Sequence, residues 1–482
     1  LPDIVEVPES IIPEFPLSLE STITRYCDTL EFSSIDPRAI EIAKHSLIDI
    51  LGVALAGSRD AGVQVLAGVI ENWGGLPQCK VLGREQLLPA PSAAMLNGAA
   101  ARVLDFDDVA DPLGTHPSVA ILPPLLAIAD LRAGEITHQA FLTAYVAGQD
   151  LSLRLSRARY ETLLESGRYD LCKVIAATAA AGMLYGLKGP QLSHAMGIAY
   201  TSALGETQCM IDGASTVFYQ QGLVASNAVR AVILASHGFT GANEFLTGRW
   251  GYYSAFEPGS RLDTIDEGLG TVFANVDGIA FKPYPTCRPN TSAAAVVLEL
   301  TQGRHLSADD VVRVDVQTNQ QIFDLVGAPI ERKQAPSSVV DARFSLAYNI
   351  ATALATGDVF IDDFTEAAIL RPEILALSRK VHPRTALECE VAELGTHGKI
   401  KIDIELTDGS KLKGEVSYAK GNPKNPMSLD ELLVKFRKCV AYAGDARLQS
   451  NAGSIVDWVL DREGSNPAYS ELAALLHAPA HP

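Results

Sequence analysis

The 482-residue sequence predicts a mainly α protein, in which a large helical part carries a smaller α+β part. Three observations predict it. Apolar residues recur at three- and four-residue spacing from Leu17 to about His237. Period-two alternation is confined to the region between about 280 and 420. Helical patterning then returns in the tail.

The elements follow in order. The stretch 36–57, DPRAIEIAKHSLIDILGVALAG, has Asp36 as N-cap, proline next and glycine at its end. The stretch 90–104, APSAAMLNGAAARVL, is a small-residue helix that runs straight into a cluster of aspartates. The stretches 116–134 (HPSVAILPPLLAIADLRAG) and 170–189 (DLCKVIAATAAAGMLYGLKG) are apolar nearly all round, as buried helices are. Beyond Tyr284, DDVVRVDVQTN at 309–319 alternates as a half-buried strand. GKIKIDIELTDGSKLKGEVSYAKG at 398–421 reads as a hairpin turning at TDGS. Residues 344–360 and 366–381 read as helices between them. After the loop GNPKNPM, SLDELLVKFRKCVAYAG returns to helix and is expected to pack back on the first part.

Composition narrows the function. Hydrophobic residues make up 47% and charged residues 20%, and the formal net charge is −18. An acidic chain is poorly suited to nucleic acid or an anionic membrane. A small anionic substrate stays compatible, because a site can be locally basic. Seven scattered cysteines without a CxxC pair argue against a disulfide framework or thiolate zinc site and for a reducing, cytoplasmic setting. The first residues, LPDIVEVPESIIPEFPLSL, read as a proline-broken arm rather than a signal peptide. No run is long enough to span a membrane, and no His/carboxylate spacing suggests a metal site.

Chemistry concentrates in three places. LDFDDVADPLGTHPS (104–118) holds Asp105, Asp107, Asp108, Asp111 and His116. SGRYDLCK (166–173) holds Arg168, Tyr169, Asp170 and Lys173. FKPYPTCRPN (281–290) places Lys282, Tyr284, Cys287 and Arg288 at the junction of the two parts, where small-molecule clefts tend to form. Simpler roles stand beside these: His116 as a helix cap, the aspartates as loop hydrogen-bonders, Cys287 as a small buried hydrophobe, Tyr348 as core. His45, His194 and His237 read as packed helix residues.

LDFDD, HPSVAILPPLLA, KPYPTCR and DARFSLAYNIATAL, in that order from about Leu17 to about Gly444, resemble the MmgE/PrpD family. The resemblance implies a large all-helical domain formed by both chain ends (1–279 and 421–482) and a smaller α+β lid (280–420). It also implies a homodimer, a site in the cleft between domains and no cofactor or metal. Its members move a proton on a carbon beside a carboxylate, which requires a placed base and cationic or hydrogen-bonding groups for the developing charge. By this resemblance His116, Lys282, Asp105 and Tyr169 are the catalytic candidates, and Arg288, Tyr348 and Arg168 the substrate-binding ones.

The sequence also departs from the decarboxylase-type pattern. Val217 stands where such members carry a lysine, and Thr291 where they carry a histidine. The expected function is a cofactor-independent, dehydratase-like lyase acting on a small di- or tricarboxylate. The alternatives are an epimerase or isomerase, with Lys282 and Tyr169 as opposed bases, and an inactive member that only binds a ligand.

Overall fold

The structure is a computed structural model that describes residues 18–111, 113–132, 134–161, 163–390 and 399–477. Most of the N-terminal arm read from the sequence lies outside these residues. The fold is mainly α with a small sheet, as the patterning predicts.

The helices that frame the site are α1 (Pro37–Gly57), α2 (Ala61–Trp73), α3 (Ala90–Val103), α4 (Pro117–Leu131), α5 (His138–Arg157), α6 (Lys173–Tyr185) and α7 (Thr216–Ser236). Asp36 caps α1 by accepting from the Arg38 N–H at 2.8 Å. α3 lies against α7, and α4 packs on α3 and α6. The residues of α4 and α6 are buried round almost the whole circumference. Helices this apolar must be central, and α4 is.

Small residues let α3 and α7 meet backbone to backbone. A Cβ built on Gly98 would stand 3.0 Å from the Gln221 carbonyl oxygen, and one on Gly222 only 2.6 Å from that of Met95. The alanine-rich composition of 90–104 thus reports a close crossing rather than mere helix propensity.

The remaining framework is α8 (Arg288–Thr301), α9 (Leu346–Thr356), α10 (Leu429–Ala443) and four strands: β1 (Val311–Thr318), β2 (Val381–Thr385), β3 (Ile400–Leu406) and β4 (Lys411–Val416). The sheet order is β2-β1-β3-β4. β1 runs parallel to β2, with Val314 opposite Val381, and antiparallel to β3, with Val314 opposite Ile404. The hairpin turns at TDGS as expected: Gly409 adopts φ 85° and Ser410 N–H donates to Asp408 Oδ1 at 2.8 Å. α8 packs on the hairpin and α9 on α8 and β2.

One expectation needs correcting. The helix read over 366–381 is shorter, Pro372–Ser378, and the chain then enters β2 at Val381. Pro383 hides that strand from a reading of pattern alone; it is tolerated because β2 is an edge strand. α10 packs on α1, so the tail does return to the first part of the chain. All seven cysteines are free and buried. Among the described residues no helix is long and apolar enough to cross a membrane.

Replacing Gly222 by alanine should force α3 and α7 apart and destabilise the protein by about 1–3 kcal/mol. Urea unfolding of Gly222→Ala measures this; an unchanged midpoint would show that the crossing has slack.

Candidate active site

The aspartate-rich stretch is a loop between α3 and α4, held by residues far away in sequence. Val109 pairs with Ala280 as an antiparallel bridge (2.9 and 2.7 Å), which carries Asp105 beside Lys282. From behind, Lys435 of α10 donates to the Phe106 carbonyl and pairs with Asp49, both at 2.7 Å, with its ammonium 3.8 Å from the Phe106 ring centroid.

Each aspartate has its own work. Asp105 lies at φ 51°, a left-handed conformation uncommon for a residue with a side chain. Its Oδ1 meets Arg102 and accepts from Lys282 Nζ at 2.8 Å, while its carbonyl accepts from the same ammonium at 3.0 Å. Burial opposes ionisation of Asp105, but Arg102 and Lys282 outweigh it and hold the carboxyl well below the usual range.

Asp107 lies 2.8 Å from His116 Nδ1 through one oxygen and 3.3 Å from Arg102 through the other. Burial would raise its pKa, yet His116 and Arg102 bring it down to about 2. Asp108 turns away from the cavity, accepting from Ser118 N–H at 3.1 Å and Ser46 hydroxyl at 2.8 Å. Burial, only partly offset by these bonds, raises it to about 7.

His116 occupies the N-cap position of α4 but makes no capping bond with its side chain. Asp108 satisfies the helix N-terminus instead, through Ser118 N–H. The imidazole is thereby freed for Asp107. Burial lowers its pKa to about 4, and Arg102 and Lys282 add to the lowering against the pull of Asp107. At neutral pH the ring is uncharged and able to accept a proton. With Nδ1 turned to Asp107, Nε2 is the nitrogen left for a ligand.

Arg102, Asp105, His116, Tyr169, Lys282 and Cys287 all line one cavity with a free volume of about 60 Å³, closed by apolar walls that include Met210, Leu325 and Phe344. Tyr169 is 2% exposed and its hydroxyl is buried without a hydrogen-bond partner among the described residues, with Lys173 Nζ 4.6 Å from its ring centroid. Burial raises the Cys287 thiol to about 12, so it lines the cavity as an uncharged group.

The candidate substrate-binding residues fare differently. Arg288 borders the cavity, but its guanidinium grips Asp111 with two bonds (2.7 and 2.9 Å) and donates to the carbonyls of Lys420 and Phe281. It is spent on holding the walls together. Tyr348 lies fully buried in α9, its hydroxyl donating to the carbonyls of Asp363 (2.8 Å) and Ala368 (3.1 Å), away from the cavity. Arg168 pairs with Glu161 and Glu257 at 3.2 and 3.4 Å and does not reach the cavity. Val217 is buried in the first turn of α7 and Thr291 in α8.

Arg102 is the cavity residue that sequence reasoning passed over. The available signal was an arginine on an alanine-rich helix, three and five residues before aspartates. Asp105, Asp107 and His116 are close enough to ligate a metal. Asp105 Oδ1 and Asp107 Oδ1 face Arg102, and Asp105 Oδ1 also faces Lys282, while Asp105 Oδ2 is buried with no hydrogen-bond partner among the described residues.

The MmgE/PrpD N-terminal domain matches residues 21–265, and the MmgE/PrpD C-terminal domain matches residues 284–461. The chain belongs to the MmgE/PrpD family. Among its family relatives, it is 26% identical to a cis-aconitate decarboxylase of Aspergillus terreus, over 95% of this chain and 96% of that one. It is 25% identical to the human cis-aconitate decarboxylase, over 89% and 86%. It is 23% identical to a mitochondrial 2-methylcitrate dehydratase of Yarrowia lipolytica, over 80% and 76%. Within this MmgE/PrpD chain Arg102, Asp105, His116 and Tyr169 of the cavity lie in the segment matched by the N-terminal domain and Cys287 and Arg288 in that matched by the C-terminal domain, with Lys282 between the two.

Breaking the Arg288–Asp111 pair should cost about 3–5 kcal/mol, since each partner is a buried charge that loses its two-bond ion pair. Urea unfolding of Arg288→Met and Asp111→Asn gives the values; a loss below 1 kcal/mol in both would assign the pair to solvent rather than to the wall.

Proposed function

We propose that this protein is a lyase of the dehydratase or decarboxylase type acting on a small di- or tricarboxylate, with His116 as the base. The observation that carries this reading is a neutral histidine, oriented by a buried aspartate, in a cavity that also holds an arginine and a lysine. The relatives, named as a dehydratase and decarboxylases of small carboxylates, support the same reaction class.

The chemistry follows from the charges. A carbon beside a carboxylate is a weak acid, and a base helps only if the charge that develops is met where it forms. His116 Nε2 takes the proton, and Asp107 stabilises the imidazolium produced at Nδ1. Lys282 spends two of its three N–H groups on Asp105, which fixes the ammonium and leaves the third for a substrate oxygen. Arg102 adds positive charge behind the same point. Tyr169, whose hydroxyl has no hydrogen-bond partner among the described residues, supplies a proton donor for a departing group. The free volume is below the roughly 300–1,000 Å³ of typical ligand pockets, so substrate enters as the walls part.

An epimerase shares the first step. Tyr169 favours this second reading, because an unpaired phenol beside the cavity can return a proton to the opposite face of the carbon. Proton NMR in D2O with citrate, 2-methylcitrate, malate and cis-aconitate separates the two. New olefinic signals or carbon dioxide release match the lyase, whereas deuterium exchange without net loss matches the epimerase.

His116→Ala should lower kcat by roughly 10²–10⁴-fold with circular dichroism unchanged; full turnover in this variant would refute the assignment of the base. The acid limb of kcat/KM should fall with an apparent pKa near 4, where His116 gains its proton. A limb near 6.5 would mean the active base is not this buried imidazole.

The same shift enters stability with a defined sign. The folded pKa lies below the ordinary value of 6.5, so between 6.5 and about 4 the unfolded chain binds a proton that the folded protein refuses. This contribution therefore destabilises the protein as pH falls through that window. Asp108, raised from 3.8 to about 7, slopes the opposite way over its own window.

A further inference from the structure

A second cavity, of about 370 Å³, lies on the other side of the α3 terminus from the first, bordered by Val103 and Leu104. Its lining includes Arg59 and Gly62 near the start of α2, Ser215 at the start of α7, and Arg343, Phe364 and Tyr442. Nothing in the lyase reading uses it.

Arg343 is the anomaly. It is 3% exposed, and burial depresses its pKa. Its Nη1 donates to the Val103 carbonyl, its Nε has no hydrogen-bond partner, and among the described residues it forms no ion pair. Its guanidinium carbon lies 5.8 Å from the Phe364 ring centroid, and the carboxylates of Asp60 and Asp105 act on its charge only from beyond ion-pair distance. A buried guanidinium without a counter-anion in contact is costly, and proteins ordinarily pair it directly. Every other buried arginine of the two cavities has its carboxylate: Arg102 has Asp105 and Asp107, and Arg288 has Asp111.

The surroundings favour a negative guest. The first turn of the 21-residue helix α7 borders the cavity at Ser215, whose side chain makes no capping bond; the Val217 and Phe218 N–H groups donate to the Ala214 and Ser215 carbonyls, and the positive end of the helix dipole lies at the cavity edge. Asp60 and Glu366 also line the cavity. Asp60 caps α2 with Oδ1, which accepts from Gly62 N–H at 2.9 Å, and Glu366 is exposed at the rim.

The geometry points to a second ligand site: a small oxyanion, carboxylate or phosphate, bound by the Arg343 guanidinium at the α7 N-terminus. This assignment does not depend on the lyase reading. Arg343 also ties both walls of the first cavity. Its side chain holds the end of α3, while its carbonyl accepts from Cys287 N–H (3.1 Å), the Thr286 hydroxyl (2.7 Å) and Asn290 Nδ2 (2.9 Å).

The test is isothermal titration and thermal melting of the full chain with succinate, inorganic phosphate and, at matched ionic strength, chloride. Four proteins are compared: the unaltered chain, His116→Ala, Arg343→Met and Ser215→Asp. Succinate or phosphate should bind and raise the melting temperature of the unaltered chain and of His116→Ala; the stronger of the two identifies the ligand chemistry. Arg343→Met should weaken binding roughly tenfold or more, the loss of a charge-assisted contact. Should that variant fold poorly, Ser215→Asp decides, since aspartate caps the helix well and should weaken binding without lowering the melting temperature. The proposal is overturned if chloride acts as strongly as the oxyanions. It is equally overturned if binding survives both cavity substitutions but disappears in His116→Ala.

Discussion

The compensation of buried aspartates by cations drawn from distant parts of the chain is the constraint on which the site depends. Asp105, Asp107 and Asp111 lie within seven residues, and none is exposed. Left unpaired, such a loop would not stay folded into the interior. Arg102 arrives from the preceding helix, Lys282 and Arg288 from 177 residues further on, and Lys435 supports the loop from the tail. The two matched domains are therefore held together at this loop by buried charge as well as by apolar packing.

That arrangement sets the chemistry. The cations that let Asp105 and Asp107 remain ionised also discourage a positive charge on His116. The imidazole stays neutral and basic while still gripped by Asp107. One cluster thus stabilises the fold and holds the imidazole beside Asp107; in the proposed lyase it would also orient the base and offer positive charge to a carboxylate substrate. The left-handed backbone at Asp105 belongs to the same economy, because it turns the carboxylate back toward Arg102 and Lys282.

The division of labour among neighbouring residues follows from packing. Within FKPYPTCRPN, Lys282 reaches the cavity, Cys287 lines it as an apolar group and Arg288 is consumed by Asp111. Within LDFDD, Asp105 and Asp107 face inward, while Asp108 caps α4 through Ser118. Residues of one chemical type, a few positions apart, take separate roles because each meets a different partner. Arg343 stands outside this scheme as a buried cation that forms no ion pair among the described residues.

The sequence by itself determined the helices, the hairpin at TDGS and the loop that follows the alanine-rich helix, because periodicity and turn chemistry are local properties. It also concentrated His116, Asp105, Lys282 and Tyr169 in motifs that the structure brings to one cavity. Local pattern was insufficient at β2, where Pro383 sits in an edge strand, and at Arg102, whose role appears only when two carboxylates fold back on it. Tyr348 and Arg168 were read toward the site, yet the tertiary structure turned them to other partners: the carbonyls of Asp363 and Ala368, and the carboxylates of Glu161 and Glu257. Lys282 and Arg288 each meet their carboxylate across 177 residues of chain. Only the folded chain brings those groups within a few ångströms, the range over which their charges decide pKa and role.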